Sequence, residues 1–204
     1  ESIILAENFL NGCPCALILG DNLFYGNSFS DLLEEANEAA HGAQIFSYSV
    51  KNPNQYGVLK FDKDHKVLSI VEKPKVFVSN LAVTGLYFYN SDCVKYAKDL
   101  KPSKRGELEI TDLNIKYIND DNLKIVNLNR GYAWLDTGTT EGLLDSANFI
   151  ATIERRQGIK ISCLEEIAWL KSWITINDLK KLLSVNQKSD YGIYLNKLIE
   201  GEID

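Results

Sequence analysis

The chain has 204 residues, of which 45% are hydrophobic and 25% are charged, and its formal net charge at pH 7 is −6. This hydrophobic content is enough for a packed core and argues against a disordered chain. The negative charge argues against nucleic-acid binding, because no excess of Lys and Arg is available to neutralise phosphates. No apolar run approaches the roughly 20 residues that cross a bilayer, so we expect no membrane partner.

The cysteine pattern gives no sign of a metal or redox motif. Four cysteines are present, and Cys13-Pro14-Cys15 is spaced too closely for a Cys-x-x-Cys motif. Reduced thiols in a cytoplasmic protein are the expected state. The chain contains no methionine, and residues 1–11 already have the pattern of a helix. We therefore expect this chain to be the later part of a longer protein.

Hydrophobic periodicity divides the first part of the chain into strands and helices. An unbroken apolar run that ends in Gly20 predicts a strand over residues 15–20, buried on both faces. A helix that starts near Ser30, a plausible N-cap, ends at Gly42. Two alternating segments around a turn at 62–65 predict a hairpin of residues 56–61 and 67–72. The other predicted elements are helices at 1–11, 93–100 and 110–118, the last capped by Thr111 or Glu109, and strands at 43–50, 81–89, 124–129 and 131–136.

From Thr140 onward the pattern is helical, with segments at 143–157, 163–173, 176–184 and 191–200. Strands that alternate with helices and are followed by a helical tail predict an α/β fold. We expect a Rossmann-like, mostly parallel (mixed) sheet flanked by helices, with a C-terminal helical appendage. The predicted domains are residues 1–142 and 143–204.

Two aspartates directly follow apolar segments and are candidate metal ligands. In an open α/β sheet the ligand crevice lies beyond the carboxyl ends of the strands, which is where Asp21 and Asp136 would lie. Carboxylates there could hold one Mg²⁺ between them, and the ion would bridge substrate phosphates. Each aspartate could instead begin a turn or cap the following helix, a role that Thr137 or Thr139 could also fill near the second one.

Three further segments contain residues suited to a sugar phosphate. Glu72 could accept hydrogen bonds from sugar hydroxyls and Lys73 could contact phosphate, although the two could equally form a weak surface pair. Gly85 inside a strand indicates a close approach by a ligand or by another backbone segment. In the charged loop at 101–107, Arg105 offers a guanidinium fork for phosphate, but such loops are usually only solvated.

The order of the motifs resembles one family over nearly the whole chain. The motifs are Leu-Gly-Asp-Asn at 19–22, Tyr-Gly-Val at 56–58, Glu-Lys-Pro at 72–74, Ala-Val-Thr-Gly-Leu-Tyr-Phe-Tyr at 82–89, Arg-Gly-Glu-Leu-Glu-Ile-Thr-Asp at 105–112 and Gly-Tyr-Ala-Trp-Leu-Asp-Thr-Gly-Thr at 131–139. Together they resemble the sugar-phosphate nucleotidylyltransferases, and most of all the branch that transfers a thymidylyl group from dTTP to glucose 1-phosphate. That reaction gives dTDP-glucose and pyrophosphate and opens dTDP-rhamnose synthesis.

The resemblance implies a role for most of the candidate residues. Asp21 and Asp136 would hold Mg²⁺, and together with Lys73 they would be the catalytic residues. Lys73 and Arg105 would bind the sugar phosphate, and Leu19 would lie near the nucleotide. The residues expected to line the glucose pocket are Tyr56, Gly57, Glu72, Val83 and Tyr87. The family also has a regulatory nucleotide site at a subunit interface, and its positions match Tyr25, Gly26, Cys163, Glu166 and Ile167.

Members of this family are usually homotetramers, so the resemblance implies that residues 143–204 serve oligomerisation and regulation. Residues 1–142 would be part of the catalytic domain. The family's Gly-Gly-x-Gly-Thr-Arg loop, which holds the triphosphate, and its base-reading segment are absent from these 204 residues. We therefore expect the chain to be inactive and poorly stable by itself. A smaller departure is Val71, where relatives tend to have Glu.

Two alternative functions stay open at this point. One is a non-catalytic regulatory subunit that binds a sugar nucleotide, although such subunits commonly lose the metal carboxylates. The other is a transferase that uses a different nucleoside triphosphate and transfers a uridylyl, cytidylyl or adenylyl group. The missing base-reading segment leaves the choice of nucleotide to experiment.

Overall fold

A computed structural model describes residues 1–38, 42–103, 106–186 and 188–202. The chain forms two compact units, Glu1–Gly138 and Thr139–Asp204, whereas the predicted division lies at 142/143. No helix in the described part of the chain is long and apolar enough to cross a membrane.

Besides a short 3-10 helix at Pro53–Gln55, the first unit contains thirteen α-helices and β-strands within its described residues. In chain order they are α1 (Ser2–Leu5), α2 (Glu7–Leu10), β1 (Cys15–Ile18), β2 (Asn22–Gly26), α3 (Phe29–Glu38), β3 (Ala43–Ser49), β4 (Gly57–Phe61), β5 (Val67–Glu72), β6 (Leu81–Tyr89), α4 (Cys93–Lys98), α5 (Ile110–Asn119), β7 (Leu123–Leu128) and β8 (Tyr132–Asp136). The helix predicted at 1–11 is divided into α1 and α2 at Ala6. Ser30 lies inside α3, which starts at Phe29, and is therefore not its N-cap.

The main sheet has the strand order β5-β4-β6-β3-β7, and β1 pairs with β6 beside this path. This confirms the α/β class and the mixed sheet flanked by helices. Among the described strands, however, only β3 and β7 pair in parallel, and the other pairs are antiparallel. The short turn at 62–66 forces β4 and β5 to run antiparallel, because a parallel pair needs a long crossover connection.

The prediction of a strand buried on both faces at 15–20 is wrong. β1 ends at Ile18, and its residues alternate between half-buried and exposed, with Ile18 57% exposed. Cys15 and Leu17 pack against the core, whereas Ala16 and Ile18 point away from it. β1 also lies at an edge of the sheet, because among the described strands it pairs with β6 alone.

A second, two-stranded sheet is formed by β2 and β8, and β2 is a strand that the sequence did not predict. All five residues of β2 are half-buried, so they lack the alternation that marks a strand with one face in the core. Their partner strand lies more than 100 residues later in the chain. In the antiparallel register, Asn22 lies opposite Asp136 and Gly26 opposite Tyr132.

Hydrophobic side chains cover both faces of the main sheet. On one face, α1, α4 and α5 contribute to a core with buried Ile45, Tyr87 and Tyr89. On the other face, α3 packs over Phe46 and Leu86. Successive residues of a strand point to opposite faces, so Ile45 and Phe46, or Leu86 and Tyr87, supply one side chain to each core.

The second unit is helical, with α6 (Thr140–Gln157), α7 (Leu164–Leu170), α8 (Ile176–Asn186) and α9 (Asp190–Glu200). Thr139 caps α6, since its hydroxyl accepts a hydrogen bond from the Gly142 N–H at 3.0 Å. A hydroxyl at this position satisfies one of the unpaired amides of the first turn. The core of this unit is formed by side chains around α8 and α9, including Leu179 and Leu195.

The core of the second unit can be tested with two leucines of the same helix. Leu179 is fully buried and Leu182 is 48% exposed. We expect Leu179→Ala to lower the free energy of unfolding by about 2–5 kcal/mol, because it leaves a cavity in the core. The control Leu182→Ala should change it by about 0.5 kcal/mol or less. Urea unfolding followed by circular dichroism measures both, and equal losses would contradict this assignment of the core.

Candidate active site

The site is built around a gap in the sheet next to Gly85. One edge of β6 pairs with β4 at Ala82 and with β1 from Leu86 onward. Between these two stretches, no strand in the described part of the chain pairs with Gly85. Instead the Leu19 N–H donates to the Gly85 carbonyl at 2.8 Å, and the Gly85 N–H donates to Asn22 Oδ1 at 2.9 Å. The turn at 19–22 therefore provides the hydrogen bonds to the β6 backbone that a paired strand would otherwise provide.

This gap requires glycine at position 85. A Cβ atom added there would lie 2.5 Å from Asn22 Oδ1. Such a contact is far inside the van der Waals distance, so any side chain would displace Asn22. A glycine inside a strand predicts the close approach of a ligand or of another backbone segment. At Gly85 the segment that approaches is the protein's own turn at 19–22.

The β2–β8 pairing brings the two candidate metal ligands together. Asp21 directly precedes β2 and Asp136 is the last residue of β8. The Thr137 N–H donates to the Asp21 carbonyl at 2.7 Å, and the Gly138 N–H donates to Asp136 Oδ1 at 2.9 Å. A Cβ atom on Gly138 would lie 3.0 Å from Asp136 Oδ1 and 3.3 Å from Asp21 Oδ2. Both carboxylates therefore border the same small space.

Asp21 lies in the turn at 19–22, as one structural alternative predicts, but neither aspartate caps a helix. The helix after Asp136 is capped by Thr139. The residue after Asp21 starts a strand, not a helix. In the described part of the chain, neither carboxylate forms a salt bridge with Lys or Arg. Two carboxylates that face one space without a basic partner repel each other, and a cation between them would remove that repulsion.

The donor set fits magnesium better than a transition metal. Carboxylate oxygens suit a hard cation, and Mg²⁺ is commonly held by one or two carboxylates while its other ligands are waters and substrate phosphates. Within the described residues there is no cluster of three or more His, Cys, Asp or Glu side chains that could enclose an ion. The site would therefore take an ion that shares its coordination with a substrate.

Next to the carboxylates lies a pocket whose wall is formed by Gly57, Glu72 and Thr111. The Thr111 hydroxyl donates to Glu72 Oε2 at 2.6 Å. A Cβ atom on Gly57 would lie 3.0 Å from the same Glu72 oxygen. Thr111 thus orients the Glu72 carboxylate, and the predicted capping role of Thr111 at α5 is wrong, because the helix has Glu109 at its N-cap and no side-chain capping bond.

Two tyrosines border the pocket as neutral hydroxyl groups. Burial, and then the Asp136 carboxylate, raise the pKa of Tyr56 above its ordinary value. Burial, followed by the charges of Glu72 and Asp21, raises the pKa of Tyr87 as well. Both phenols therefore keep their protons at neutral pH and can donate hydrogen bonds. The ring of Tyr56 also packs against Trp134, with ring centres 5.1 Å apart.

Most of the predicted site residues come together in this pocket. Besides the two aspartates, the predicted residues that line it are Leu19, Tyr56, Gly57, Glu72, Val83 and Tyr87. Lys73 lies outside the lining, exposed at the end of β5. Its φ of +41° is uncommon for a non-glycine residue, and its N–H donates to the Tyr56 carbonyl at 3.0 Å. It forms no salt bridge with Glu72, and Arg105 lies outside the described residues.

The predicted regulatory residues fall into both units. Tyr25 and Gly26 are the last residues of β2 in the first unit. In the second unit, Cys163 is buried with its Sγ 3.2 Å from the Tyr191 hydroxyl, and Ile167 is 40% exposed. Glu166 Oε2 accepts a hydrogen bond from the Tyr194 hydroxyl at 2.7 Å.

Sequence reasoning missed three side chains that shape the pocket. Asn22 accepts a hydrogen bond from Trp134 Nε1 at 2.6 Å, and Thr111 holds Glu72. Asn22 follows a candidate ligand and Trp134 lies two residues before the other one, so proximity in sequence was the available signal. The role of Thr111 was not recognised, because a threonine next to a helix start normally indicates an N-cap.

The close contact at Gly85 makes a stability prediction. We expect Gly85→Ala to lower the free energy of unfolding by about 1–3 kcal/mol, because the new methyl group overlaps Asn22. Gly20 serves as the control, since a Cβ atom there would meet nothing within 4 Å. Gly20→Ala should change stability by about 0.5 kcal/mol or less. Chemical unfolding of both variants measures this, and a fully stable Gly85→Ala protein would refute the tight contact.

Comparison with known proteins identifies the family. The family described as nucleotidyl transferase matches residues 1–153. A glucose-1-phosphate thymidylyltransferase of Neisseria meningitidis is 46% identical over 200 residues, which is 98% of this chain and 69% of that protein. One from Mycobacterium tuberculosis is 45% identical over 200 residues, with the same coverage of 98% and 69%.

Solved structures agree with the family match. A Bacillus anthracis protein provisionally described as a glucose-1-phosphate thymidylyltransferase, in complex with sucrose, matches with a TM-score of 0.64 at 36% identity. The match covers 72% of this chain and 58% of that one. A UDP-glucose pyrophosphorylase in complex with UDP-glucose matches with a TM-score of 0.65 at 23% identity, which shows a shared fold. From the family match and these identities, we conclude that the chain belongs to the nucleotidyl transferase family.

Proposed function

We propose that the whole protein transfers a thymidylyl group from dTTP to glucose 1-phosphate, giving dTDP-glucose and pyrophosphate. The names of the relatives that are 45–48% identical over nearly the whole chain support this reaction. The observation that carries it is the placement of two unpaired carboxylates, Asp21 and Asp136, beside a pocket with hydroxyl-binding groups. The product would supply dTDP-rhamnose synthesis. The activity is proposed for the whole protein, because this chain spans 69% of the Neisseria meningitidis protein and 58% of the Bacillus anthracis chain.

In this proposal the sugar phosphate oxygen attacks the α-phosphorus of dTTP in line, and pyrophosphate leaves. No covalent enzyme intermediate is needed, so catalysis consists mainly of positioning and of charge stabilisation. Asp21 and Asp136 would hold Mg²⁺, which would neutralise negative charge on the phosphates.

The protein's own side chains would position the sugar. The Glu72 carboxylate, oriented by Thr111, accepts hydrogen bonds from sugar hydroxyls, and the absent side chain of Gly57 leaves room for the ring beside it. The neutral hydroxyl groups of Tyr56 and Tyr87 can donate to sugar oxygens. Lys73 and Arg105 would bind the phosphate of glucose 1-phosphate. Leu19, which also lines the pocket, would lie near the nucleotide.

The substrate assignment is tested by assaying the whole protein with glucose 1-phosphate and each of dTTP, UTP, CTP and ATP. Release of pyrophosphate and formation of the nucleoside diphosphate sugar are measured for each pair. We expect the highest kcat/KM with dTTP. A clear preference for another nucleotide would correct the base, and sugar-nucleotide binding without turnover would favour the regulatory-subunit alternative.

The metal assignment predicts a large loss on neutralising one carboxylate. We expect Asp136→Asn to lower kcat by about 10²-fold or more, as does the loss of one preorganised electrostatic group in other enzymes. Asp64→Asn, in the exposed turn between β4 and β5, is the control and should leave kcat unchanged. Steady-state assays at saturating Mg²⁺ provide the comparison. Near-normal turnover of Asp136→Asn would remove this residue from the site.

The phosphate assignment predicts a selective loss of sugar-phosphate affinity. We expect Lys73→Ala to weaken binding of glucose 1-phosphate by about 1.5–3 kcal/mol, the range for a hydrogen bond to a charged group. Affinity for dTTP should change much less. Lys75→Ala, which changes another exposed lysine two residues further along, is the matched control. Calorimetry on both variants decides, and an equal loss for both ligands would argue against a specific phosphate contact.

We also propose that the second unit serves assembly and regulation. It exposes large apolar side chains on and after α7, with Leu164 74%, Leu170 66% and Trp173 75% exposed. Such side chains are more often covered at subunit interfaces than left in water. A homotetramer would cover them, and a regulatory nucleotide site would use Tyr25 and Gly26 together with the positions around Cys163, Glu166 and Ile167 at a subunit interface. The whole protein would work in the cytoplasm.

A further inference from the structure

The Asn22 carboxamide connects the sheet, the pocket wall and one candidate metal ligand. Its Oδ1 accepts hydrogen bonds from the Gly85 N–H at 2.9 Å and from Trp134 Nε1 at 2.6 Å. Its Nδ2 donates to Asp21 Oδ1 at 2.8 Å. We propose that Asn22 is a positioning residue, which holds the Asp21 carboxylate in the orientation that binds the metal ion. This inference rests on the proposed function, since it assigns Asp21 to the metal.

The orientation of the Asn22 carboxamide follows from the two N–H groups that donate to it. Gly85 and Trp134 each present an N–H group, and these require an acceptor, so Oδ1 must face them. The Nδ2 group is then directed to Asp21 by elimination. A leucine of similar size would leave both N–H groups unpaired, which is costly in a half-buried place. An aspartate would accept the same two bonds but would turn a negative oxygen towards Asp21.

Asp21 needs such support because it lies exposed in a turn. Its backbone is held by Thr137, which donates to the Asp21 carbonyl from its N–H at 2.7 Å and from its hydroxyl at 3.0 Å. Its side chain is held by Asn22 through Oδ1. The other oxygen, Oδ2, is the one that borders the Gly138 position, next to Asp136 Oδ1. Asn22 therefore selects which oxygen of Asp21 faces the space between the two carboxylates.

Asp136 is held in a different way, by the backbone N–H of Gly138 at 2.9 Å. Only proline at position 138 would remove that bond, because every other residue keeps the backbone N–H. The carboxylate of Asp21 is thus the member of the pair whose orientation depends on a neighbouring side chain. Partners that orient metal ligands typically contribute a factor of about 10–100 to metal affinity.

The test measures metal binding directly in the whole protein. Mn²⁺ serves as the probe, because its bound and free forms are distinguished by electron paramagnetic resonance. We expect Asn22→Ala to weaken Mn²⁺ binding by about 10-fold or more, to raise the Mg²⁺ concentration for half-maximal rate and to lower kcat. The dissociation constant for glucose 1-phosphate should stay within about twofold of the wild-type value. Asn80→Ala, which removes an exposed asparagine bound to Ser49, is the control and should leave Mn²⁺ binding unchanged.

Two results would overturn the inference. If Asn22→Ala weakens binding of glucose 1-phosphate and leaves Mn²⁺ binding unchanged, Asn22 contacts the sugar and does not position the metal ligand. If the variant only melts at a lower temperature, with unchanged Mn²⁺ affinity in the folded protein, the role of Asn22 is structural.

A second variant covers the case in which Asn22→Ala does not fold. Trp134→Phe keeps the carboxamide and its bonds to Gly85 and Asp21, and removes one of the two donors that orient it. We expect a smaller loss of Mn²⁺ affinity in the same direction, about twofold to tenfold, and an unchanged affinity would count against the inference.

Metal binding and turnover separate the two proposals. An active wild-type protein whose Asn22→Ala variant binds Mn²⁺ normally would refute the positioning role and leave the proposed function intact. A wild-type protein that binds Mn²⁺ through Asn22-dependent contacts but forms no dTDP-glucose would refute the proposed function and leave the positioning role intact.

Discussion

The structure depends on how the backbone N–H and carbonyl of Gly85 in β6 form their hydrogen bonds. A buried backbone amide and carbonyl must be hydrogen-bonded, yet a strand paired at this point would fill the space that the pocket needs. The turn at 19–22 solves both requirements, because it supplies one N–H donor from Leu19 and one side-chain acceptor from Asn22. Its last two residues then lie in the site. A requirement of the sheet thus determines where the first carboxylate is found.

Long-range pairing brings the rest of the site to that point. The β2–β8 ribbon joins segments more than 100 residues apart, and the Thr111–Glu72 bond joins α5 to the end of β5. The carboxylates of Asp21, Glu72 and Asp136 each accept a hydrogen bond from a neighbour. The pocket is therefore a product of the tertiary structure, and no single segment of the chain contains it.

Sequence patterns were informative where the signal is local and weak where it is not. Strand ends with Gly or Asp, and short motifs such as Tyr56-Gly57, identified residues that the structure brings to one pocket. Periodicity failed for β2, whose partner is distant, and for β1, whose exposed residues are as apolar as its packed ones. The share of parallel strand pairs was overestimated as well. Strand direction depends on connections and packing, which hydrophobic periodicity does not reveal. Hydrogen-bond partners such as Asn22 and Trp134 cannot be paired from sequence without knowing the register.

Gly138 has a consequence for how the sequence of this site can change. Its backbone has an ordinary conformation, so another residue could adopt it without strain. What disfavours a side chain there is the neighbourhood, because a methyl group would lie 3.0 Å from Asp136 Oδ1 and 3.3 Å from Asp21 Oδ2. Even alanine, the smallest possible replacement, would compete with the proposed cation for the same place. A substitution at this position would therefore oppose the proposed ion binding while leaving both carboxylates and the fold in place.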